Sequence, residues 1–226
     1  MKKHTTTASD QLGFTIVELM IATLVSSMIL LVITVGIVHF TSDYYKGINS
    51  SNTQATTQNA IDVIERAIQF NASAPTPSST TPGVFCAGSQ EFVYSLGKQL
   101  TGATAVGNWG LYQFNKTTPN CDIPTSVPAG GTQLLGKNMR VAYVNLAQQG
   151  TTKVWNLELH VAYGDSDLLC RTSIASPNPG SCSSNAATYA PVTSVSGTDV
   201  ICKSQTGSQY CSLSNLTAAI GQRINN

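Results

Sequence analysis

The sequence predicts an α+β protein: a long N-terminal helix packed on an antiparallel β-sheet head, with loops stapled by disulfides. Three observations predict it. Glu18 is the single formal charge from Phe14 to Phe40, and no proline falls between Phe14 and Ala74. After Gly83 the apolar period changes to two, most clearly where Trp155, Leu157, Leu159, Val161 and Tyr163 alternate with Asn156, Glu158, His160 and Ala162. Alternation of this kind marks a half-buried strand. All six cysteines (Cys86, Cys121, Cys170, Cys182, Cys202 and Cys211) follow the apolar run.

The run 14–40 exceeds the ~20 apolar residues that a helix needs to cross a bilayer. A carboxylate costs about 2.5–3.5 kcal/mol at mid-membrane. Glu18 lies near one end, where the cost is lower, and still requires a partner. No Lys or Arg occurs between Lys3 and Lys46. Lys2 and Lys3 therefore place the N-terminus in the cytoplasm and the bulk of the chain outside it. Gly36 and Gly47 are soft points, each costing ~1 kcal/mol relative to Ala in a helix. Beyond them Ala60, Ile61, Ile64, Ala67 and Ile68 recur at helical spacing, while Asp62, Glu65, Arg66 and Gln69 fall mostly off that stripe. One helix over 14–70 follows, about 57 residues and ~85 Å long. Residues 14–40 are its apolar membrane or filament half and 41–70 its amphipathic half. The Thr/Asn/Gln-rich stretch Asn49–Asn59 is its weakest part, where fraying or a kink is expected. Tyr44 and Tyr45 fit a membrane-interface belt and equally a packing contact in a filament.

Residues 71–83, rich in Pro, Ser and Thr, form a linker, and 84–226 the exported head. Phe92–Tyr94 and Leu111–Asn115 are short strands. Met139–Leu146 is another, with Met139, Val141 and Tyr143 on one face. Ala147–Thr152 is a hairpin loop joining it to the strand around Leu159. Leu213, Leu216, Ile220 and Ile224 suggest a final short helix, with an edge strand as the alternative. Ile174–Thr198 reads as a long loop. Six cysteines in an exported domain allow 15 disulfide connectivities. Spacing favours neighbours, Cys86–Cys121, Cys170–Cys182 and Cys202–Cys211, with crossed pairing of the last four as the rival. No CxxC motif occurs and histidine is scarce, which disfavours zinc.

No set of residues carries a convincing reaction, so the chain is not expected to be an enzyme, and no cofactor is implied. It has no GxGxxG, P-loop or Gly-x-Ser-x-Gly motif. His39 lies in the apolar run, and His160 sits on the polar side of its strand without a nucleophile motif beside it. Asp165 and Asp167 are weak Ca²⁺ candidates, and a turn closed by Asp side chains is the favoured reading. Net charge is +1, with charged residues at 10%. That balance argues against nucleic acid as a partner.

Gly13-Phe14-Thr15-Ile16-Val17-Glu18-Leu19-Met20, preceded by a short basic segment and followed by the apolar helix, resembles the processing and assembly signature of type IV pilins and type II secretion pseudopilins. The resemblance covers roughly the first 30 residues, and in combination these features are specific. It implies a leader, 1–13, removed by a membrane-bound prepilin peptidase that cuts between Gly13 and Phe14 and N-methylates Phe14. It implies that Glu18 pairs with the Phe14 amine of a neighbouring subunit, and that the fold is type IV pilin-like. The pairing agrees with physics, since a buried carboxylate is tolerable when it meets a cation. Loss of the leader removes Lys2, Lys3 and Asp10 and leaves the remainder formally neutral.

Length and the Cys-rich C-terminal half look most like the PilW-like minor pilins. The implied partners are prepilin peptidase, other pilin subunits and, before assembly, the bacterial inner membrane. The implied destination is the pilus and the cell surface. A minor pseudopilin of a type II secretion system is the nearest alternative, and a pilus-displayed adhesin or DNA-uptake pilin the next. A secretory signal is the plainer reading, but its cleavage site would follow the apolar region. A simple anchor has no evident need of Glu18.

Overall fold

The computed structural model describes residues 15–71, 74–77, 83–98, 110–116, 120–165, 168–173, 198–203 and 207–223. It divides into two compact units, Met1–Asp43 and Tyr44–Asn226. A single helix, α1 (Ile16–Gln69), runs through both.

In the first unit every residue from Ile16 to Phe40 is exposed. The hydroxyls there turn back onto their own helix: Thr23 donates to the Met20 carbonyl at 3.0 Å, Ser27 to Leu24 at 2.8 Å, Thr34 to Leu30 at 2.7 Å and Thr41 to Ile37 at 2.7 Å. Local bonding of this kind satisfies a polar group without water.

In the second unit α1 buries Thr53, Thr57, Ala60, Ile61, Ile64, Ala67 and Ile68. The expected fraying or kink over Asn49–Asn59 does not occur, because threonine serves here as a packing residue. The Thr53 and Thr57 hydroxyls donate to the carbonyls of Asn49 and Thr53 at 2.6 and 2.7 Å, and the side chains lie against the head. The Asn49 side-chain amide donates to the Gln209 carbonyl at 3.0 Å. At the C-terminal end of the helix the orphan carbonyls are met from elsewhere. Asn71 Nδ2 donates to Ala67 and, at 2.9 Å, to Ala87, and the Arg223 amide donates to Gln69 at 3.1 Å.

Five strands form an antiparallel meander: β1 (Thr76–Pro77), β2 (Gly83–Ala87), β3 (Gln90–Tyr94), β4 (Leu111–Asn115) and β5 (Thr132–Gln133). The linker thus contributes an edge strand. A second antiparallel sheet has the order β10-β7-β6, from β6 (Met139–Gln148), β7 (Val154–Tyr163) and β10 (Ser212–Gly221). A third pairs β8 (Leu169–Ser173) with β9 (Thr198–Cys202). The buried stripe of α1 meets Phe85, Phe92, Leu111, Val141, Leu157 and Leu159 in the main core. A separate cluster behind the meander joins Val84, Val93, Tyr112 and Phe114, with Ile123 and Val127 packed on it.

Two sequence expectations are corrected. Met139 and Val141 share the core face, but Tyr143 does not. The register with β7 shifts between Val141 and Tyr143, where Ala142 forms a bulge. One extra residue reverses the parity, so Val144 and Leu146 return to the core while Tyr143 joins Ala142, Ala162 and Leu169 in a cluster on the opposite side. The final segment is a ten-residue edge strand and not a helix. Ser212, Ser214 and Ile220 alternate inward along it, against Tyr163, Val161 and Trp155 of β7. Ile224 lies outside the described residues.

Cys86–Cys121 and Cys202–Cys211 are bonded, as neighbour pairing requires. Cys182, and with it the third neighbour pair, lies outside the described residues, as does the 174–197 stretch of the expected long loop.

Candidate functional site

The site begins where α1 begins. Thr15 precedes the first helical residue, and its backbone amide and hydroxyl both donate to Glu18 Oε2 at 3.0 Å. The Glu18 amide in turn faces Thr15 Oγ1 at 3.3 Å. This reciprocal arrangement is a capping box, which satisfies donors that a helix start leaves orphaned. The Thr15-x-x-Glu18 spacing signals it in the sequence, and reasoning about charge alone misses it. Glu18 therefore has a local structural reason to be present even in a plain anchor. Capping leaves its charge in place, and an apolar environment still demands a cation for that charge. Gly13 and Phe14, the expected cleavage and methylation positions, lie outside the described residues.

The apolar surface follows directly. About 25 residues from Ile16 to Phe40 span ~37 Å, more than the ~30 Å hydrocarbon core of a bilayer. The helix is long and apolar enough to cross a membrane. Leu19, Met20, Ile21, Val25, Ile29 and Leu30, which the helical repeat spreads around the axis, are all exposed. An apolar belt on every side of a helix is suited to lipid or to other helices. His39 stands exposed near the end of this belt. Tyr44 and Tyr45 follow, edge to face at 6.2 Å, and Tyr45 also meets the Tyr210 ring at 5.8 Å.

Other candidate groups take structural positions. The Asp165 carbonyl accepts from the Leu168 amide at 3.1 Å, closing a turn after Gly164 (φ 121°). The buried Arg140 guanidinium donates to the Gly164 carbonyl at 2.6 Å. A cation already fixed against this turn works against a second one, and Asp167 lies outside the described residues. His160 Nε2 is 3.0 Å from Glu158 Oε1, and its ring meets Tyr143 edge to face at 5.2 Å. Burial, with the Glu158 charge adding to it, pushes the Tyr143 phenol up to about 12.

Glu91 is fully buried opposite Cys86 in the β2–β3 register. Its carboxylate and the sulfurs of Cys86 and Cys121 lie within 4.8 Å of one another. Both sulfurs are consumed in a disulfide, so this cluster presents no thiolate to a metal. Burial raises the Glu91 pKa against the opposing pull of Lys116, and its Oε1 has no hydrogen-bond partner.

Comparison with protein-family models, with curated proteins and with solved structures finds no match to this chain.

Proposed function

We propose that the chain is the precursor of a minor type IV pilin, processed by prepilin peptidase and assembled into, or priming, a pilus through its N-terminal helix. One observation carries the reading: Gly13-Phe14 stands immediately before, and Glu18 in the first turn of, a helix whose residues from Ile16 to Phe40 are all exposed and, Glu18 apart, uncharged. Anchored in the inner membrane by 14–40, the precursor loses residues 1–13. The freed Phe14 amine of one subunit then meets Glu18 of the next while the apolar helices bundle by van der Waals packing. The disulfide-stapled head is displayed outside the cytoplasm. Its role is assembly and not catalysis.

The test separates charge from capping. Gly13→Ala leaves the leader attached, seen as an unshifted mass. Glu18→Ala is processed and incorporates into fibres at least about tenfold less, the effect of ~1.4 kcal/mol. Glu18→Gln keeps an acceptor for Thr15 and loses the charge, so it incorporates as poorly as Glu18→Ala. Thr15→Ala loses ~1 kcal/mol of capping and incorporates nearly as well as the native chain. Native incorporation of both Glu18 variants overturns the assembly role. Native incorporation of Glu18→Gln alone reduces Glu18 to a helix cap.

A further inference from the structure

One cavity of the second unit has the chemistry of an anion site. Lys46 and Ser50 of α1 face Lys203, Ser208 and Ser212 across about 530 Å³. The Cys202–Cys211 disulfide fixes the far wall, because it bonds the residue before Lys203 to the residue before Ser212. Among the described residues no Asp or Glu lines the cavity, and neither lysine has an ion pair. The whole chain carries only 12 Lys and Arg, so two of them lining one cavity with no acid among the described lining residues is a marked concentration. Two lysines and no acid among the described lining residues give the cavity a positive potential, which favours an anion. Three hydroxyls complete a donor set matched to a tetrahedral oxyanion, whose oxygens accept several charge-assisted bonds.

Position along the chain identifies the source of that anion. Lys46 is the first Lys or Arg after Lys3 and follows Phe40 by six residues on the same helix, or ~9 Å of rise. The headgroup layer extends roughly 5–8 Å beyond the hydrocarbon on each side, and a lysine stem adds its own reach. We infer that the cavity between Lys46 and Lys203 binds a phosphate group, supplied by an anionic lipid headgroup while the chain is anchored. The choice of a lipid as the source rests on the membrane-anchored reading of 14–40; the phosphate site itself does not.

The test reads acylation rates of individual lysines by mass spectrometry on the full chain in lipid nanodiscs. Replacing part of the phosphatidylcholine by phosphatidylglycerol is expected to slow Lys46 and Lys203 about fivefold, with the exposed Lys137 and Lys153 unchanged. Lys46→Gln should remove the protection of Lys203, and Lys46→Arg should keep it. A second arm, in detergent, compares inorganic phosphate with chloride at equal ionic strength. Protection by phosphate there and none by phosphatidylglycerol upholds the site and overturns its lipid source. No selective protection in either arm, or equal slowing of all four lysines, overturns the site. A chain that fails to co-elute with nanodiscs refutes the anchor instead, and the detergent arm still decides the site.

Discussion

Thr34 and Thr53 lie on the same helix and make the same bond. Each hydroxyl donates to the carbonyl four residues back, at 2.7 and 2.6 Å. Thr34 is exposed among side chains that are all exposed, whereas Thr53 is completely buried. The backbone problem has one solution in both places, since a hydroxyl satisfied within its own helix tolerates lipid and protein interior alike. What differs is the destination of the apolar surface. Ile61, Ile64 and Ile68 are covered by strands of the same chain. Between Ile16 and Phe40 no described residue covers the side chains, so their burial awaits lipid or other helices. The two halves of α1 should therefore respond differently to one substitution.

The largest contrast comes from a buried charge. Ile64→Asp places an unpaired carboxylate in the main core and should cost more than ~4 kcal/mol. The cooperative thermal transition of the head, followed by circular dichroism and protease resistance, should disappear. Val25→Asp should leave that transition within about 0.5 kcal/mol and weaken membrane insertion by about 2.5–3.5 kcal/mol. Equal loss of head stability in both variants would break the comparison.

Smaller effects come from the two disulfides among the described residues, both in the second unit. Serine at Cys86 and Cys121 opens a link of sequence separation 35, and serine at Cys202 and Cys211 one of separation 9. Loop-closure entropy gives ~4 and ~3 kcal/mol respectively. Urea midpoints should fall in that order, with helicity of the apolar half unchanged. The reverse order would place the stabilisation in the walls of the Lys46–Lys203 cavity and not in chain entropy.

The smallest effect concerns Glu91, whose folded pKa is raised by burial. For an acid shifted upward, the folded state is fully stable below the unfolded pKa of about 4.3 and loses stability as pH rises through the folded value. Glu91→Gln should therefore melt higher than the native chain at pH 7, by about 2–4 °C for each kcal/mol relieved. The difference should vanish below about pH 4. A Glu91→Gln advantage that persists unchanged at low pH would assign it to packing instead of charge.

Much of this architecture is legible in the residues. The apolar run, the stripe from Ala60 to Ile68 and the alternation around Leu159 each announce a burial direction, and the observed elements follow them. Two cysteine pairs follow from spacing. The misses have physical causes. β2 carries no legible period because Gly83–Ala87 is buried on both faces, with Phe85 in the main core and Val84 in the cluster behind it. A strand covered on both sides has no period to read. The capping box at Thr15 and Glu18 is readable, but the cost of the charge draws attention away from it.

Composition and spacing alone fix which stretch seeks an apolar environment and where the helical period gives way to alternation. These are local properties. Tertiary structure decided the rest. It made Asn49–Asn59 a packed, continuous part of α1 and not a break, because a partner surface rewards buried threonine. It made Ser212–Gly221 a strand, because β7 offers ten residues of edge, a gain that local propensity does not contain. It turned Tyr143 away from the core through a single bulged alanine. It also brought Lys46 and Lys203 to one cavity across 157 residues of chain, a juxtaposition that only long-range packing creates.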